Sequence, residues 1–186
     1  MLIIMDKVIS SKLIFKCPRF KVFEDVVELE ECKKTIRWQI IWNDSVTIIG
    51  ITNDKKIILI KERRDYGEEK VLVLPGGGVN DEEDIKHAAA REFEEETGYK
   101  SKNMYQLLNM NVSTTKKIKH EVYYYVATDL EFCGQKLESD ETIEVILMDI
   151  KEVVRLANNS KLPDDDKQAI LAFNEKLDFF LNLKDF

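Results

Sequence analysis

The sequence predicts an α+β fold in which helices flank a mixed sheet and an antiparallel β appendage precedes it. Short runs rich in β-branched residues recur between residues 45 and 150, as is typical of strands. A charged segment with helical periodicity divides these runs, and two further helical patterns close the chain. Strands and helices that follow one another without strict alternation favour the α+β class.

The length and charge of the chain limit its architecture and its partners. With 186 residues there is room for one domain and an extra element, so we place the appendage at residues 1–44 and the main domain at 45–186. A net charge of −7 argues against nonspecific binding to nucleic acid or to an anionic membrane. Because no apolar run approaches the roughly 18 residues of a membrane span, we expect a cytoplasmic protein. An acidic protein that binds phosphates would need metal ions or a local basic cluster.

The first elements are predicted to be strands. Residues 13–38 show irregular apolar alternation and are expected to be extended, before a break at residues 42–44. The runs SVTIIGIT (residues 45–52) and KIILIK (residues 56–61) follow. Because only Asn, Asp and Lys separate them, they are predicted to form a hairpin.

A glycine cluster lies in the middle of the chain, after a third short strand at residues 71–74. Because glycine weakens the interior of helices and strands, residues 76–78 are predicted to form a loop. Asn80 or Asp81 would then cap a helix that ends at Gly98.

The last third of the chain contains two predicted strands and two predicted helices. The strands lie at residues 121–127 and 143–150, and the helices at residues 151–157 and about 164–183.

The central helix carries an unusual number of carboxylates on one face. At about 100° per residue, Ile85, Ala88 and Ala89 share an arc with three glutamates further along. The glutamates are Glu92, Glu95 and Glu96. Like charges at this spacing repel, and the helix dipole disfavours them near the C-terminus. Each effect costs from a few tenths to about 1 kcal/mol on a surface, so a solvated acidic face is one explanation.

The apolar residues on the same arc favour a different explanation, a metal site. They indicate that this face of the helix points toward protein rather than bulk water. Buried carboxylates need a partner, and several together are most simply held by a hard divalent cation with oxygen ligands.

The spacing of the residues around this helix resembles the signature of a known family, the Nudix box. It comprises a glycine, five residues, Glu, seven residues, and then Arg-Glu-apolar-any-Glu-Glu-any-Gly-apolar. The matching residues are Gly77, Glu83, Arg91, Glu92, Phe93, Glu95, Glu96, Gly98 and Tyr99. The resemblance implies a Nudix-type α/β/α sandwich with a loop–helix–loop site that hydrolyses nucleoside diphosphates linked to another group.

The resemblance also implies a role for each residue of the box. The expected ligands of Mg²⁺ or Mn²⁺ are the Gly76 carbonyl and the carboxylates of Glu92, Glu95 and Glu96. Arg91 would orient a carboxylate, with Glu95 four residues later as the candidate, and Glu83 would brace the loop. The ions would neutralise the diphosphate and lower the pKa of an attacking water. The chain departs from many members at Asn80, where Glu is common, and at Glu82, where Gly is common.

Beyond the box, the chain resembles the branch that hydrolyses ADP-ribose and related nucleoside diphosphate sugars. The resemblance rests on the N-terminal appendage, a basic segment at residues 61–64, an acidic stretch at residues 138–144 and the C-terminal helix. It makes Arg64 the expected phosphate contact with Arg63 beside it, although the branch often has Gln-Tyr-Arg at residues 62–64.

The same resemblance places the general base outside the box, in the acidic loop. Glu141 is the first candidate and Glu138 the second. For each of them, a solvated acidic turn is the alternative.

Several questions stay open from sequence. The chain has no proline shortly after the box, a frequent mark of ADP-ribose specificity in the branch. Its small-molecule nucleotide substrate could instead be a damaged nucleoside triphosphate, or the domain could be a noncatalytic nucleotide-sugar sensor. In the branch, N-terminal strands often cross to a second subunit, so a homodimer is expected. Phe20, Phe23 or Trp38 would then stack on a base or fill the dimer interface, unless they pack in the core.

Overall fold

A computed structural model describes residues 6–29, 33–63, 69–111, 117–137 and 142–182 of the protein. The chain divides into two compact units. The first contains Met1–Asp44 and Met110–Val122, and the second contains Ser45–Asn109 and Tyr123–Phe186. The segment 110–122 therefore belongs to the first unit, whereas the division drawn from sequence put it in the main domain.

In the described residues, seven strands are followed by one helix, four more strands and then three helices. The first strands are β1 (Lys7–Lys16), β2 (Phe20–Glu28), β3 (Lys34–Trp42), β4 (Ser45–Ile51), β5 (Lys56–Arg63), β6 (Lys70–Val73) and β7 (Gly76–Gly78). Next come α1 (Ile85–Thr97), β8 (Tyr99–Asn111), β9 (Ile118–Lys119), β10 (Glu121–Phe132) and β11 (Glu144–Asp149). The described chain ends with α2 (Ile150–Asn158), α3 (Asp164–Glu175) and α4 (Leu177–Leu181). None of the helices in the described ranges is long and apolar enough to cross a membrane.

The first unit is a sheet with strand order β1-β2-β3-β9. The first three strands are antiparallel, and β9 joins β3 in parallel. All ten residues of β1 are exposed, including large apolar ones such as Leu13 and Phe15. Trp38 on β3 is also exposed, whereas the Phe20 ring lies 4.9 Å from that of Trp42.

The second unit contains a sheet with strand order β11-β5-β4-β10-β8, to which β6 adds at β5 and β7 at β4. Its core is made of β-branched side chains from the central strands together with one face of α1. Ile48 of β4, Ile58 of β5 and Phe93 of α1 are fully buried in one cluster. Phe93 fits because Gly50 lacks a side chain: a Cβ there would overlap the tip of the phenyl ring.

The predicted α+β class is confirmed, and so is the hairpin, which is formed by β4 and β5. The prediction that the glycine cluster is a loop was wrong. Gly76–Gly78 forms β7, which pairs with β4. The stretch from Tyr99 to Asn111 was not predicted to be a strand, yet it forms β8.

Candidate active site

The helix α1 is fixed at both ends by polar contacts. Its N-cap is Asp84 rather than Asn80 or Asp81, and the Asp84 side chain accepts the backbone N–H of His87 at 3.1 Å. At the C-terminus Gly98 takes the left-handed conformation, with φ of 73°, which glycine adopts without steric cost. The helix therefore begins and ends at defined residues. These two ends help to fix which way the face that carries the glutamates points.

The glycine segment can pair with β4 only because side chains are absent. Gly78, Gly77 and Gly76 lie opposite residues 45–47 of β4. A Cβ on Gly76 would overlap the Val46 carbonyl oxygen. Just before this pairing, the Pro75 carbonyl accepts the N–H of Ile48 at 2.8 Å. Close backbone contact explains the glycines better than loop flexibility does.

Glu96 connects the helix to the glycine segment. Its carboxylate accepts the Gly76 backbone N–H at 2.8 Å, and the residue is only 5% exposed. A buried carboxylate is costly unless hydrogen-bonded, so this contact determines where the Gly76 peptide lies relative to α1.

Glu92 occupies the space that a side chain on Gly77 would need. A Cβ on Gly77 would lie 2.5 Å from both Cδ and Oε2 of Glu92. Real Cβ atoms do not approach other atoms so closely. A side chain at Gly77 would therefore have to displace the Glu92 carboxylate.

Arg91 is the centre of a charge cluster. Its guanidinium holds Glu83 through two parallel hydrogen bonds of 2.8 and 2.9 Å. The Nη1 group also donates to Glu92 at 2.8 Å and to Glu95 at 3.1 Å, and Nη2 donates to the Gly78 carbonyl at 3.1 Å. One cation thus offsets the repulsion between neighbouring carboxylates that the sequence indicated.

Glu83 is strongly affected by its neighbours in this cluster. The pKa of Glu83 is lowered from its ordinary 4.5 to about 2, and the hydrogen bonds from the Arg91 guanidinium are the largest cause. The Asn80 backbone N–H, at 3.0 Å from Oε2, contributes to this lowering, as does the Asn80 side chain, which donates to the same oxygen. The carboxylates in turn raise the pKa of Arg91. Glu83 and Arg91 are therefore both charged at neutral pH.

The oxygen-only character of the cluster fits Mg²⁺ or Mn²⁺ better than a softer metal. Among the residues that the structure describes, however, no three Asp, Glu, His or Cys side chains are arranged to hold an ion. Arg91 and the Gly76 N–H contact the three predicted carboxylate ligands in this arrangement. Glu95 has the most exposed of these side chains, at 39%. The donor chemistry fits a divalent cation, with Glu92, Glu95, Glu96 and the Gly76 carbonyl as the groups that would hold it.

A short segment after β10 closes the C-terminal end of α1. The Lys136 backbone N–H donates to the Glu95 carbonyl at 2.9 Å, and the Gln135 side chain donates to the Glu96 carbonyl at 2.6 Å. The Gly98 carbonyl accepts the N–H of Cys133 at 2.7 Å. These contacts satisfy carbonyls that a helix end leaves without partners.

The structure describes one of the four remaining predicted site residues. Arg63 is the last residue of β5 and is exposed. Arg64, Glu138 and Glu141 lie outside the described residues.

Sequence reasoning missed two positions next to the site, Gln135 and Asp166. The Asp166 carboxylate accepts the backbone N–H of Leu74, which precedes the Pro75–glycine segment. The sequence contained a signal for it, since Asp166 lies three, four and seven residues before Ala169, Ile170 and Phe173, which are all buried. No such periodicity marks Gln135.

Comparison with known proteins is consistent with this geometry. The model of the NUDIX domain matches residues 42–173. The ADP-ribose pyrophosphatase of Bacillus subtilis (strain 168) is 26% identical over 162 residues, which cover 86% of each protein. The methanol dehydrogenase activator of Bacillus methanolicus is 28% identical over the same shares.

Two further similarities extend the comparison. A hydrolase of CMP-5'-(N-acetyl-N-hydroxy-3-aminopropyl)phosphonate from Streptomyces rubellomurinus (strain ATCC 31215) is 28% identical over 129 residues, or 69% of this chain and 62% of that protein. A crystal structure of an ADP compounds hydrolase superposes with a TM-score of 0.77 at 19% identity, covering 93% of this chain and 94% of the other. At that identity the superposition shows a shared fold.

Proposed function

The chain belongs to the Nudix family of hydrolases, and we propose that it cleaves the diphosphate linkage of ADP-ribose or a related nucleoside diphosphate sugar. The products would be a nucleoside monophosphate and a sugar phosphate. The observation that carries this proposal is the cluster in which Arg91 gathers Glu83, Glu92 and Glu95 while Glu96 holds the glycine segment.

We assign the metal-binding role to Glu92, Glu95, Glu96 and the Gly76 carbonyl. When bound, Mg²⁺ or Mn²⁺ would neutralise the diphosphate and make a water easier to deprotonate. Arg91 orients the carboxylates through the contacts to Glu92 and Glu95, and Glu83 keeps the Arg91 guanidinium in place. Each of these residues thus either binds the metal ion or orients, directly or through Arg91, a residue that does.

The general base in this proposal is Glu141, with Glu138 as the second candidate. The attacking water gives its proton to that carboxylate while a new phosphorus–oxygen bond forms and the bridging bond breaks. Support comes from Gln135 and Lys136, which lie just before the acidic loop and are hydrogen-bonded to the C-terminal end of α1. Arg63 and Arg64 would contact the phosphates of the substrate.

The similarity to an ADP-ribose pyrophosphatase over 86% of both chains favours a nucleoside diphosphate sugar. The phosphonate hydrolase is named for a CMP-linked compound, so the test must vary the base as well as the sugar. The protein would be incubated with Mg²⁺ and a panel containing ADP-ribose, other ADP sugars, UDP and CMP sugars, and nucleoside triphosphates. Chromatography would identify the products.

Release of a nucleoside monophosphate and a sugar phosphate supports the proposal. If only a nucleoside triphosphate is cleaved, with release of pyrophosphate, the protein is instead a hydrolase of damaged nucleoside triphosphates. Tight binding of a nucleotide sugar without turnover would indicate a sensor.

We also propose that the protein is a homodimer in which the first unit supplies the interface. Large apolar side chains along β1 and β3, among them Leu13, Phe15, Ile36 and Trp38, are exposed by 47 to 55%. Apolar residues gathered on one sheet favour burial against another protein surface. A second copy of the chain is the occupant that similarity to the branch suggests.

A further inference from the structure

Asp166 contacts Leu74, two residues before the glycine segment, from a distant part of the sequence. It lies in the first turn of α3, is 4% exposed, and accepts the backbone N–H of Leu74 at 3.0 Å. The two residues are 92 positions apart in the chain. Asp164 and Asp165 in the same turn are exposed, so Asp166 alone of the three is turned into the protein.

The Leu74 N–H needs this carboxylate because the chain changes its pairing partner there. The last pair between β6 and β5 joins Val73 to Ile60, and the pairing of β7 with β4 begins at Gly76. Leu74 is buried between these two pairings. A buried N–H without an acceptor costs about 1–3 kcal/mol, and a carboxylate is a strong acceptor.

Three contacts then fix three consecutive residues. Asp166 accepts a hydrogen bond from the N–H of Leu74, and Glu96 accepts one from the N–H of Gly76. Between them, the carbonyl of Pro75 accepts the N–H of Ile48. The next polar backbone group is the Gly76 carbonyl, which the proposed function uses as a metal ligand. Its direction follows from the backbone that these contacts fix.

We propose that Asp166 is a positioning residue for the metal site, since it anchors the peptide chain that presents the Gly76 carbonyl. This inference rests on the proposed function, because it assumes that Gly76 binds the metal. It assigns to α3 a role in metal affinity in addition to its packing in the core.

Two readouts on purified protein test the inference. The first is hydrogen exchange at the Leu74 amide in metal-free protein, which should accelerate in Asp166→Ala and stay slow in Asp166→Asn, whose oxygen still accepts. The second is the Mn²⁺ dissociation constant, measured by the paramagnetic resonance of unbound Mn²⁺. We expect affinity about 10- to 100-fold weaker in Asp166→Ala, the usual effect of removing a group that orients a ligand.

Asp165→Ala is the matched control, since it removes the same charge from the same helix turn at an exposed position. It should bind Mn²⁺ as the wild type does. Wild-type affinity in folded Asp166→Ala would overturn the inference. If Asp166→Ala does not fold, Asp166→Glu displaces the carboxylate by one methylene, and a folded Asp166→Glu variant with unchanged affinity overturns it equally.

Glu96→Gln separates this inference from the proposed function. If the wild type does not bind Mn²⁺, or Glu96→Gln binds it equally well, the metal site itself is wrong and the inference falls with it. If Glu96→Gln loses affinity while Asp166→Ala keeps it, only the role of Asp166 is wrong.

Discussion

Two regions of the molecule differ in the environment of their side chains. One is α1 together with the glycine segment, and the other is the N-terminal sheet. Around α1, the four carboxylates of the cluster each accept a hydrogen bond from a defined partner, as Glu96 does from the Gly76 N–H. On β1 the side chains are exposed along the whole strand, and several are large and apolar. In the first region, hydrogen bonds and ion pairs within one chain explain the identity of the residues. In the second, exposed apolar residues favour burial against another protein surface, as in the proposed dimer.

The largest effect is expected at Glu96, the buried carboxylate of the cluster. Glu96→Gln keeps the size and the hydrogen-bonding oxygen of the side chain but removes its charge. Turnover of the preferred panel substrate should fall at least about a hundredfold, because several kcal/mol of charge stabilisation are lost. Steady-state kinetics and thermal melting measure this.

Glu94→Gln is the control for that variant, since Glu94 lies on the same helix and pairs with Lys136 at 2.7 Å. It should keep the turnover of the wild type. Full activity in a folded Glu96→Gln variant would remove Glu96 from the metal site.

A pair of glycine variants tests whether shape around α1 is as critical as charge. Gly77→Ala places a Cβ 2.5 Å from the Glu92 carboxylate and must displace it, whereas Gly78→Ala meets no atom within 4 Å. We expect Gly77→Ala to lower turnover about tenfold or more, since a ligand carboxylate moves. Gly78→Ala should leave turnover unchanged.

The measurement is turnover of both variants at saturating Mg²⁺. Equal activity of the two variants would show that the contact between Gly77 and Glu92 has no catalytic consequence.

Positive charges placed on the N-terminal sheet test whether that sheet forms a dimer interface. Ile36→Lys with Trp38→Lys puts two cations on exposed apolar positions of β3. Sedimentation velocity should show a dimer for the wild type and a monomer for this double variant, because buried lysines are costly without partners. Phe179→Lys changes an apolar residue that is equally exposed, at 60%, in the second unit, and should stay dimeric. A monomeric wild type would refute the proposed interface.

The two regions also differ in how far the sequence could predict them. The spacing of Glu92, Glu95 and Glu96 reports a helix face directly, because helical periodicity is local. The pairing of Gly76–Gly78 with β4 and the contact of Asp166 with Leu74 depend on segments far apart in the chain. Glycines that permit close backbone approach and glycines in a loop are the same letter in a sequence. This is why the loop prediction failed while the helix prediction succeeded.

The smallest effect concerns stability, and it compares two ion pairs of similar geometry. Arg91 holds Glu83 bidentately inside the cluster, and Arg155 holds Glu152 bidentately on the exposed surface of α2. The pKa of Glu83 is lowered to about 2 in the folded protein, so its contribution is present above pH 4.5 and is lost as pH falls toward 2. After discounting for solvent screening, we expect Glu83→Gln to lower the free energy of unfolding by roughly 1 to 2 kcal/mol at pH 7.

That loss should shrink as the pH falls from about 5 toward 2, because protonation then removes the charge in the wild type as well. Urea titrations at several pH values would measure both. Glu152→Gln provides the comparison. Because solvent screens an exposed ion pair, removing this pair should change the free energy of unfolding little at any pH. If Glu83→Gln and Glu152→Gln cost the same at every pH, the Arg91 cluster contributes no more to stability than a surface ion pair, and its purpose is to orient the carboxylates.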